Sequence, residues 1–415
     1  MNCVTPAPVP TPVPALDDIR RAAATMAGTV PITPLVEAPT LSELLGCRIL
    51  LKLENMQRTG SFKERGALTR LQSLTPKQRR IGVIAMSAGN HAQGVACHAG
   101  RLGIPATIVM PEGTPFTKVA RTEAYGAQVV LHGATLAEAA AHAHERAAAD
   151  GLLFVHPYDD FDVIRGQGTI GLEMLQQAPD LDVLVVPIGG GGLISGIAIA
   201  AKGIKSDIRV FGVQSELYPS MRQALAGVPI ICGGATIAEG IAVAAPGTIA
   251  QSVARDLVED IILVSETTLE QAIFQLLTVQ KIVAEGAGAA GLAAIMSRPA
   301  AFRGATVGLV VCGGNIDARL LASVLMRGLV RDGRLVRLRI KIADAPGELA
   351  RVTQVVGESG GNIVEVFHQR LFHNVPIKLA DLDIMIETRD ASHVQTILKR
   401  LGEERFQAQL MTDIS

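Results

Sequence analysis

Two features of the chain point to the same chemistry when they are read together. Lys63 stands in Thr59-Gly-Ser-Phe-Lys-Glu-Arg-Gly66, where a glycine loop gives way to apolar residues at Ala67, Leu68, Leu71 and Leu74, the spacing of a helix face. Its ammonium would sit in a first helical turn, where the helix dipole disfavours positive charge and partial burial lowers the pKa, so the amine suits Schiff-base chemistry. Taken alone, a lysine at a helix start reads as a solvated surface residue. Gly189, Gly190, Gly191 and Gly192 follow the apolar run Val183–Pro187 and precede a helix from Leu193. Backbone without side chains can wrap an anion there while helix N–H groups face it, which suits a phosphate monoester, although four glycines also make an ordinary tight turn. The run lacks the Gly-Lys-Ser/Thr ending of a nucleotide loop and matches Gly-x-Gly-x-x-Gly poorly.

Three further positions are open to two readings each. Ser87, Ala88, Gly89, Asn90 and His91 lie at the end of an apolar run and open a helical one, so they form either a helix cap or a grip for a carboxylate, with Asn90 free to donate to a phenolate oxygen. Cys312 ends a buried-looking run before Gly313-Gly314-Asn315, where open α/β sheets place their ligands; it is a core cysteine or a neutral partner for a pyridine nitrogen. Glu285, a lone carboxylate in an Ala/Gly run, is either a solvated helix start or a group buried beside a cofactor ring.

The elements that must position these residues follow from periodicity. Short Val/Ile/Leu-rich runs (Arg48–Glu54, Val83–Ser87, Ala106–Pro111, Gln128–Leu131, Leu152–His156, Asp182–Pro187, Arg209–Gln214, Ile261–Val264, Thr306–Cys312) alternate with helical segments (His91–Leu102, Thr117–Tyr125, Leu136–Ala149, Ile197–Lys202, Glu270–Lys281, Ala287–Met296), the mark of parallel α/β layers. Nine strands are many for one sheet, and the break around Phe154–Asp160 predicts two lobes with a cleft. The expected boundaries are a Pro-rich disordered tail at 1–15, a large lobe of 16–53 with 156–330, a small mobile lobe of 54–155, a charged linker at 331–334 and a final domain at 335–415. That domain reads strand Leu335–Ile342, helix Glu348–Glu358, strands Ile363–Gln369 and Ile377–Glu387, helix Ser392–Leu401 and a strand near Arg405–Met411, a ferredoxin-like βαββαβ order.

Composition narrows the classes. With 415 residues, two or three domains are expected at roughly 150 residues each. Lys+Arg 38 against Asp+Glu 39 leaves a formal net charge of −1, so no field exists to hold nucleic acid or an acidic membrane surface. Five scattered cysteines without a Cys-x-x-Cys support neither a disulfide frame nor a zinc site. The N-terminal segment has no signal or transit pattern and no apolar run is long enough to span a bilayer, so a cytoplasmic location is expected.

Lys63 in Ser-Phe-Lys-x-Arg-Gly, Ser87-Ala-Gly-Asn-His91, Gly189 to Gly192 and Cys312-Gly-Gly-Asn315, in this order, resemble the fold-type II pyridoxal-phosphate enzymes (tryptophan synthase β-like), most closely the threonine dehydratases, over roughly residues 20–330. Pro111-Glu-Gly-Thr-Pro-Phe-Thr-Lys118 also looks like that family. Ala343-Asp-Ala-Pro-Gly-Glu-Leu349 and Gly360-Gly-Asn-Ile-Val364 resemble an ACT domain, a small-molecule regulatory module. The resemblance implies that Lys63 carries pyridoxal 5′-phosphate and later removes the Cα proton. It implies that Phe62 stacks near the ring, that Gly189 to Gly192 with Leu193 hold the phosphate, and that Asn90 meets the 3′-oxygen. Cys312 would meet the ring nitrogen, Glu285 would lie near the ring, and Ser87 to His91 would hold the substrate carboxylate. The activity implied is dehydration and deamination of L-threonine to 2-oxobutanoate and ammonia, with L-serine as a secondary substrate.

Serine racemase and 3-hydroxyaspartate dehydratase of the same fold are the alternatives. Serine racemases resemble this pattern but carry a serine where this chain has Ala88, which cannot transfer a proton. Gln214 stands where their divalent-cation site would need a carboxylate, so no metal is expected. A nicotinamide-dependent dehydrogenase lacks its phosphate motif here, and a non-enzymatic amino-acid sensor would be favoured by a missing Lys63. The ACT resemblance implies an effector such as isoleucine or valine, bordered by Gly360, Gly361 and Asn362, and the family implies a homotetramer or homodimer.

Overall fold

The computed structural model describes residues 12–369 and 376–411. Most of the expected Pro-rich tail therefore lies outside the described residues. The chain divides into two compact units, at Ile316/Asp317.

In the first unit the strands run, in chain order, β1 (Leu35–Glu37), β2 (Arg48–Lys52), β3 (Val83–Met86), β4 (Ala106–Met110), β5 (Gln128–Leu131), β6 (Leu153–Phe154), β7 (Val183–Pro187), β8 (Arg209–Ser215), β9 (Asp260–Val264) and β10 (Thr306–Val310). They form two sheets, one in the order β1-β2-β10-β7-β8-β9 and one in the order β5-β4-β3-β6. All pairings are parallel except that of β1 with β2. Each of the nine apolar runs forms a strand, five in the large sheet and four in the small one. β4 and β7 are buried along their whole length, which explains why they read as unbroken apolar runs: helices cover both faces of a parallel sheet. β1 has no counterpart among the expected strands, because three residues at an antiparallel edge carry too little pattern to read.

The helix Phe161–Gln177 is the largest departure from expectation. Its Gly166, Gly168 and Gly171 each mark a crossing with no room for a side chain. A Cβ on Gly166 would lie 2.7 Å from the Arg65 carbonyl, one on Gly168 2.8 Å from the Gly196 carbonyl, and one on Gly171 3.0 Å from the Ile197 carbonyl. The helix thus separates, backbone to backbone, the helix Lys63–Gln72 from the helix Gly192–Ile204. These are the two helices that begin with the candidate amine and with the glycine run.

A buried ionic cluster fixes the first of them. The Arg65 guanidinium reaches Glu54 at 2.7 Å and Glu173 at 2.8 Å, Lys52 reaches Glu173 at 2.6 Å, and the Thr33 hydroxyl donates to Glu54 at 2.6 Å. Burial alone would raise the Glu54 carboxyl, but Arg65 holds it below the usual carboxylate range. Removing one partner of such a cluster leaves an uncompensated buried charge, which costs about 3–5 kcal/mol.

The second unit holds the helix Ala318–Arg331, β11 (Leu335–Ala343), the helix Glu348–Glu358, β12 (Asn362–Gln369), β13 (Leu379–Glu387), the helix Ala391–Glu403 and β14 (Gln407–Leu410). The βαββαβ order forms one antiparallel sheet, β12-β13-β11-β14. The expected linker at 331–334 is not where the units part. Residues 318–330, expected in the large lobe, form most of the helix Ala318–Arg331, which groups with the C-terminal unit because it packs against β11 after Asp317 caps its first turn. Among the described residues no helix is long and apolar enough to cross a membrane.

Candidate active site

The loop before Lys63 is held to the loop after β10. Phe62 N–H donates to the Cys312 carbonyl at 3.0 Å, Gly314 N–H donates to the Gly60 carbonyl at 2.9 Å, and Ser61 bridges Gly313 between them. Gly60 has φ +72, and a Cβ there would fall 2.7 Å from Asn315 Oδ1, so only glycine makes this turn. Lys63 then opens its helix. Its Nζ donates to the Pro157 carbonyl at 2.7 Å and lies 5.3 Å from the Phe62 ring centroid. Burial lowers the amine's pKa to about 8, against the opposing pull of Cys312 and Glu285.

β7 delivers the glycine run to the start of the helix Gly192–Ile204, whose cap Gly191 has φ +100. A Cβ on Gly190 would fall 2.2 Å from the Tyr158 ring, one on Gly192 2.6 Å from the Tyr158 carbonyl, and one on Gly191 2.5 Å from the Ala250 Cβ. The run is therefore a close-fitting cup rather than a loose turn, with Gly189 against Gly240 and with Leu193 as the second helical residue.

Ser87 to His91 form the second helix start. The helix Asn90–Arg101 has Gly89 at its cap and no side-chain cap hydrogen bond, so the helix-cap reading of Ser87 and Asn90 does not describe this site. Ser87 Oγ accepts from Gly89 N–H at 3.1 Å. His91 Nε2 bonds the Val155 carbonyl at 3.0 Å, and burial holds the imidazole down at about 3, hence neutral. Asn90 Nδ2 donates to Glu285 Oε1 at 2.8 Å. Glu285 is the cap residue of the helix Gly286–Ser297, and burial pushes its carboxyl up to about 7. The Cys312 thiol is buried and pushed well above its ordinary range by desolvation, so it is neutral.

Lys63, Asn90, Glu285, Cys312 and the glycine run thus converge within the first unit. Sequence reasoning missed the segment His156 to Asp159. Pro157 receives the Lys63 amine, the Tyr158 ring covers Gly190, and Asp159 caps the helix Thr248–Leu257 at 2.8 and 3.0 Å. Its place between β6 and the following helix, at the carboxyl end of a strand, was the available signal. Lys118, from the Pro111–Lys118 motif, pairs with Glu239 at 2.9 Å. Gln214 is buried, donating to Ser220 Oγ at 3.3 Å and accepting from Arg222 N–H at 3.1 Å.

Gly360, Gly361 and Asn362 lie in the second unit. Gly360 has φ +86, and a Cβ on Gly361 would fall 3.0 Å from both Val356 and Ile386. Gly360 and Asn362 line an open groove with Arg334, Glu387, Thr388 and Arg389, in which Asn362 donates to Glu387 at 3.2 Å.

The donor set of the first unit fits pyridoxal phosphate group by group. The primary amine matches the aldehyde, the N–H-lined glycine cup the phosphate, the Asn90 amide the phenolate oxygen and the neutral thiol the pyridine nitrogen.

Comparison with known proteins agrees. The model of the pyridoxal-phosphate dependent enzyme family matches residues 27–313, and that of the ACT domain matches residues 332–405. The chain is 42% identical over 398 residues to an L-threonine ammonia-lyase of Thermotoga maritima, spanning 95% of this chain and 99% of that protein. Maize serine racemase is a structural neighbour with TM-score 0.72 and 34% identity, covering 77% of this chain and 99% of that one. Threonine deaminase isoform 2 of Solanum lycopersicum, in its processed form, has TM-score 0.70 and 33% identity, covering 79% and 93%. From Lys63 to Cys312 and on into the C-terminal βαββαβ unit, this chain belongs to the pyridoxal-phosphate dependent enzyme family and carries an ACT domain.

Proposed function

We propose that the protein converts L-threonine to 2-oxobutanoate and ammonia, accepts L-serine as a secondary substrate, and is regulated by an amino acid at its ACT domain. The observation that carries the reading is an amine at Lys63 whose pKa burial lowers to about 8, within one site that also holds the glycine cup, Asn90, Glu285 and a neutral Cys312. Full-length likeness to an L-threonine ammonia-lyase supports threonine as the substrate.

Bound pyridoxal phosphate supplies an electron sink conjugated to the substrate's Cα. The protein's own residues bind, orient and move the proton. Gly189 to Gly192 and Leu193 hold the phosphate on helix N–H groups, and Phe62 flanks the ring. Residues Ser87 to His91 hold the substrate carboxylate at an uncapped helix start. Lys63 Nζ, with a pKa of about 8, accepts the Cα proton from one face. Asn90 donates to the phenolate oxygen, with Glu285 beside it. The Cys312 thiol, itself neutral, would meet the ring nitrogen without holding a proton on it, which would weaken the electron sink and favour loss of the β-hydroxyl over other outcomes. Water leaves from Cα and Cβ, and the released enamine takes water back and gives up ammonia.

Serine racemase is the second reading, favoured by the structural likeness to the maize enzyme. Ala88 weighs against it, since a methyl group cannot return a proton from the opposite face. Dehydration of 3-hydroxyaspartate is the third. The proposal extends to a cytoplasmic homotetramer or homodimer, to a small lobe of residues 54–155 that moves as substrate enters, and to isoleucine or valine as effector near Gly360, Gly361 and Asn362. Borohydride reduction of the cofactor-loaded protein followed by peptide mapping should place the cofactor on Lys63, and Lys63→Ala should be inactive. A reduced adduct on any other lysine would overturn the assignment.

A further inference from the structure

Asn315 follows Cys312 by three residues, yet the chemistry above leaves it unused. Its Nδ2 donates to the Thr59 carbonyl at 2.7 Å and to Asn90 Oδ1 at 2.8 Å, and Asn90 Nδ2 in turn donates to Glu285 Oε1 at 2.8 Å. The direction of these hydrogen bonds is set at the first link. A backbone carbonyl can only accept, so the Asn315 atom facing Thr59 must be the NH2 group. The second hydrogen of that group points at Asn90, which must therefore present its oxygen there. The Asn90 NH2 is left on the other side, toward Glu285. An asparagine amide left alone can rotate to exchange its oxygen and nitrogen. Here that rotation would set the Asn90 NH2 against the Asn315 NH2, donor on donor, and would turn the Asn90 oxygen toward Glu285, which can donate to it only when its carboxyl is protonated.

The backbone around these groups has no slack. A Cβ on Gly60 would fall 2.7 Å from Asn315 Oδ1, and one on Gly313 would fall 2.4 Å from Glu285 Oε1 and 3.2 Å from Asn90 Nδ2. Glu285 N–H donates to the Gly313 carbonyl at 3.1 Å, so the carboxylate and the loop that carries Asn315 are also tied to each other.

We infer that Asn315 is a positioning residue that locks the Asn90 amide with its NH2 group toward the cofactor's phenolate oxygen. The inference rests on the reading of Asn90 as the partner of that oxygen. Asn315→Asp tests it most sharply: the variant keeps the shape but has no N–H to give, so the Asn90 amide turns over to donate to the new carboxylate and offers its oxygen to the site.

The test uses the full chain stripped of cofactor and titrated with pyridoxal phosphate, reading both the dissociation constant and the position of the visible absorption band. Asn90→Ala, Asn315→Asp and the double variant are compared with the unchanged chain. Loss of one hydrogen bond to a charged oxygen corresponds to about tenfold in affinity. The expected result is that Asn315→Asp and Asn90→Ala each weaken binding about tenfold and displace the band, and that the double variant is no worse than Asn90→Ala. If Asn90→Ala displaces the band and Asn315→Asp lowers only the melting temperature, or if the two losses add, the inference is overturned and the Asn90 reading stands. If Asn90→Ala itself leaves affinity and band unchanged, the Asn90 reading fails and the inference with it.

Discussion

Replacing Lys63 by methionine should stabilise the cofactor-free protein at neutral pH while abolishing turnover. The ordinary lysine pKa is 10.5, and burial lowers that of Lys63 to about 8. That difference corresponds to about 3 kcal/mol of cost for burying the charged amine in the folded state. Methionine has similar length and no charge, and its loss of the hydrogen bond to the Pro157 carbonyl returns about 1 kcal/mol, leaving a net gain of about 2 kcal/mol. The sign follows from proton binding. Between pH 8 and 10.5 the unfolded chain holds more protons on this residue than the folded one, so the unchanged protein gains stability as pH rises through that window. The advantage of Lys63→Met is therefore full at pH 7, shrinks above pH 8, is gone by about pH 9.5 and gives way to about 1 kcal/mol in favour of lysine above 10.5, where only the lost hydrogen bond remains. Urea unfolding of the two stripped proteins at neutral pH and at two points across that window, followed by circular dichroism, measures it. A variant less stable than its parent at neutral pH, or an advantage that does not change with pH, would refute the claim that burial of a charge at Lys63 is the dominant cost.

Two further outcomes come from the geometry. Gly190→Ala puts a Cβ 2.2 Å from the Tyr158 ring, so the ring must move off the cup; pyridoxal-phosphate affinity should fall at least about tenfold in a fluorescence titration. Isoleucine or valine, if either is the effector, should raise the melting temperature of the C-terminal unit, since a ligand at about one hundred times its dissociation constant adds about 2.7 kcal/mol. Asn362→Ala should remove that rise, and an unchanged response would place the effector elsewhere.

How far residue order alone leads depends on whether a signal is local. Lys63 and the glycine run are readable because each sits where a loop becomes a helix, and the pattern changes within a few residues. β4 and β7 are readable because complete burial demands an unbroken apolar run. Asn315 is not, since its partners Thr59 and Asn90 are 256 and 225 residues away. The helix Phe161–Gln177 escapes notice for a related reason. Its glycines lower helix propensity locally, and only the helices that cross it at backbone distance explain why they are there. The helix Ala318–Arg331 is apolar on one face like its predecessors, so nothing in its own pattern tells which unit it joins.

Release of a 2-oxo acid from each of three hydroxyamino acids is the decisive measurement. Purified protein loaded with pyridoxal phosphate would be given L-threonine, L-serine and L-threo-3-hydroxyaspartate under the same conditions, with D-serine formation from L-serine measured in parallel. The expected result is 2-oxobutanoate from threonine at the highest kcat/KM, slower pyruvate from serine and little D-serine. D-serine without oxo acid, or no oxo acid from any of the three, would contradict it.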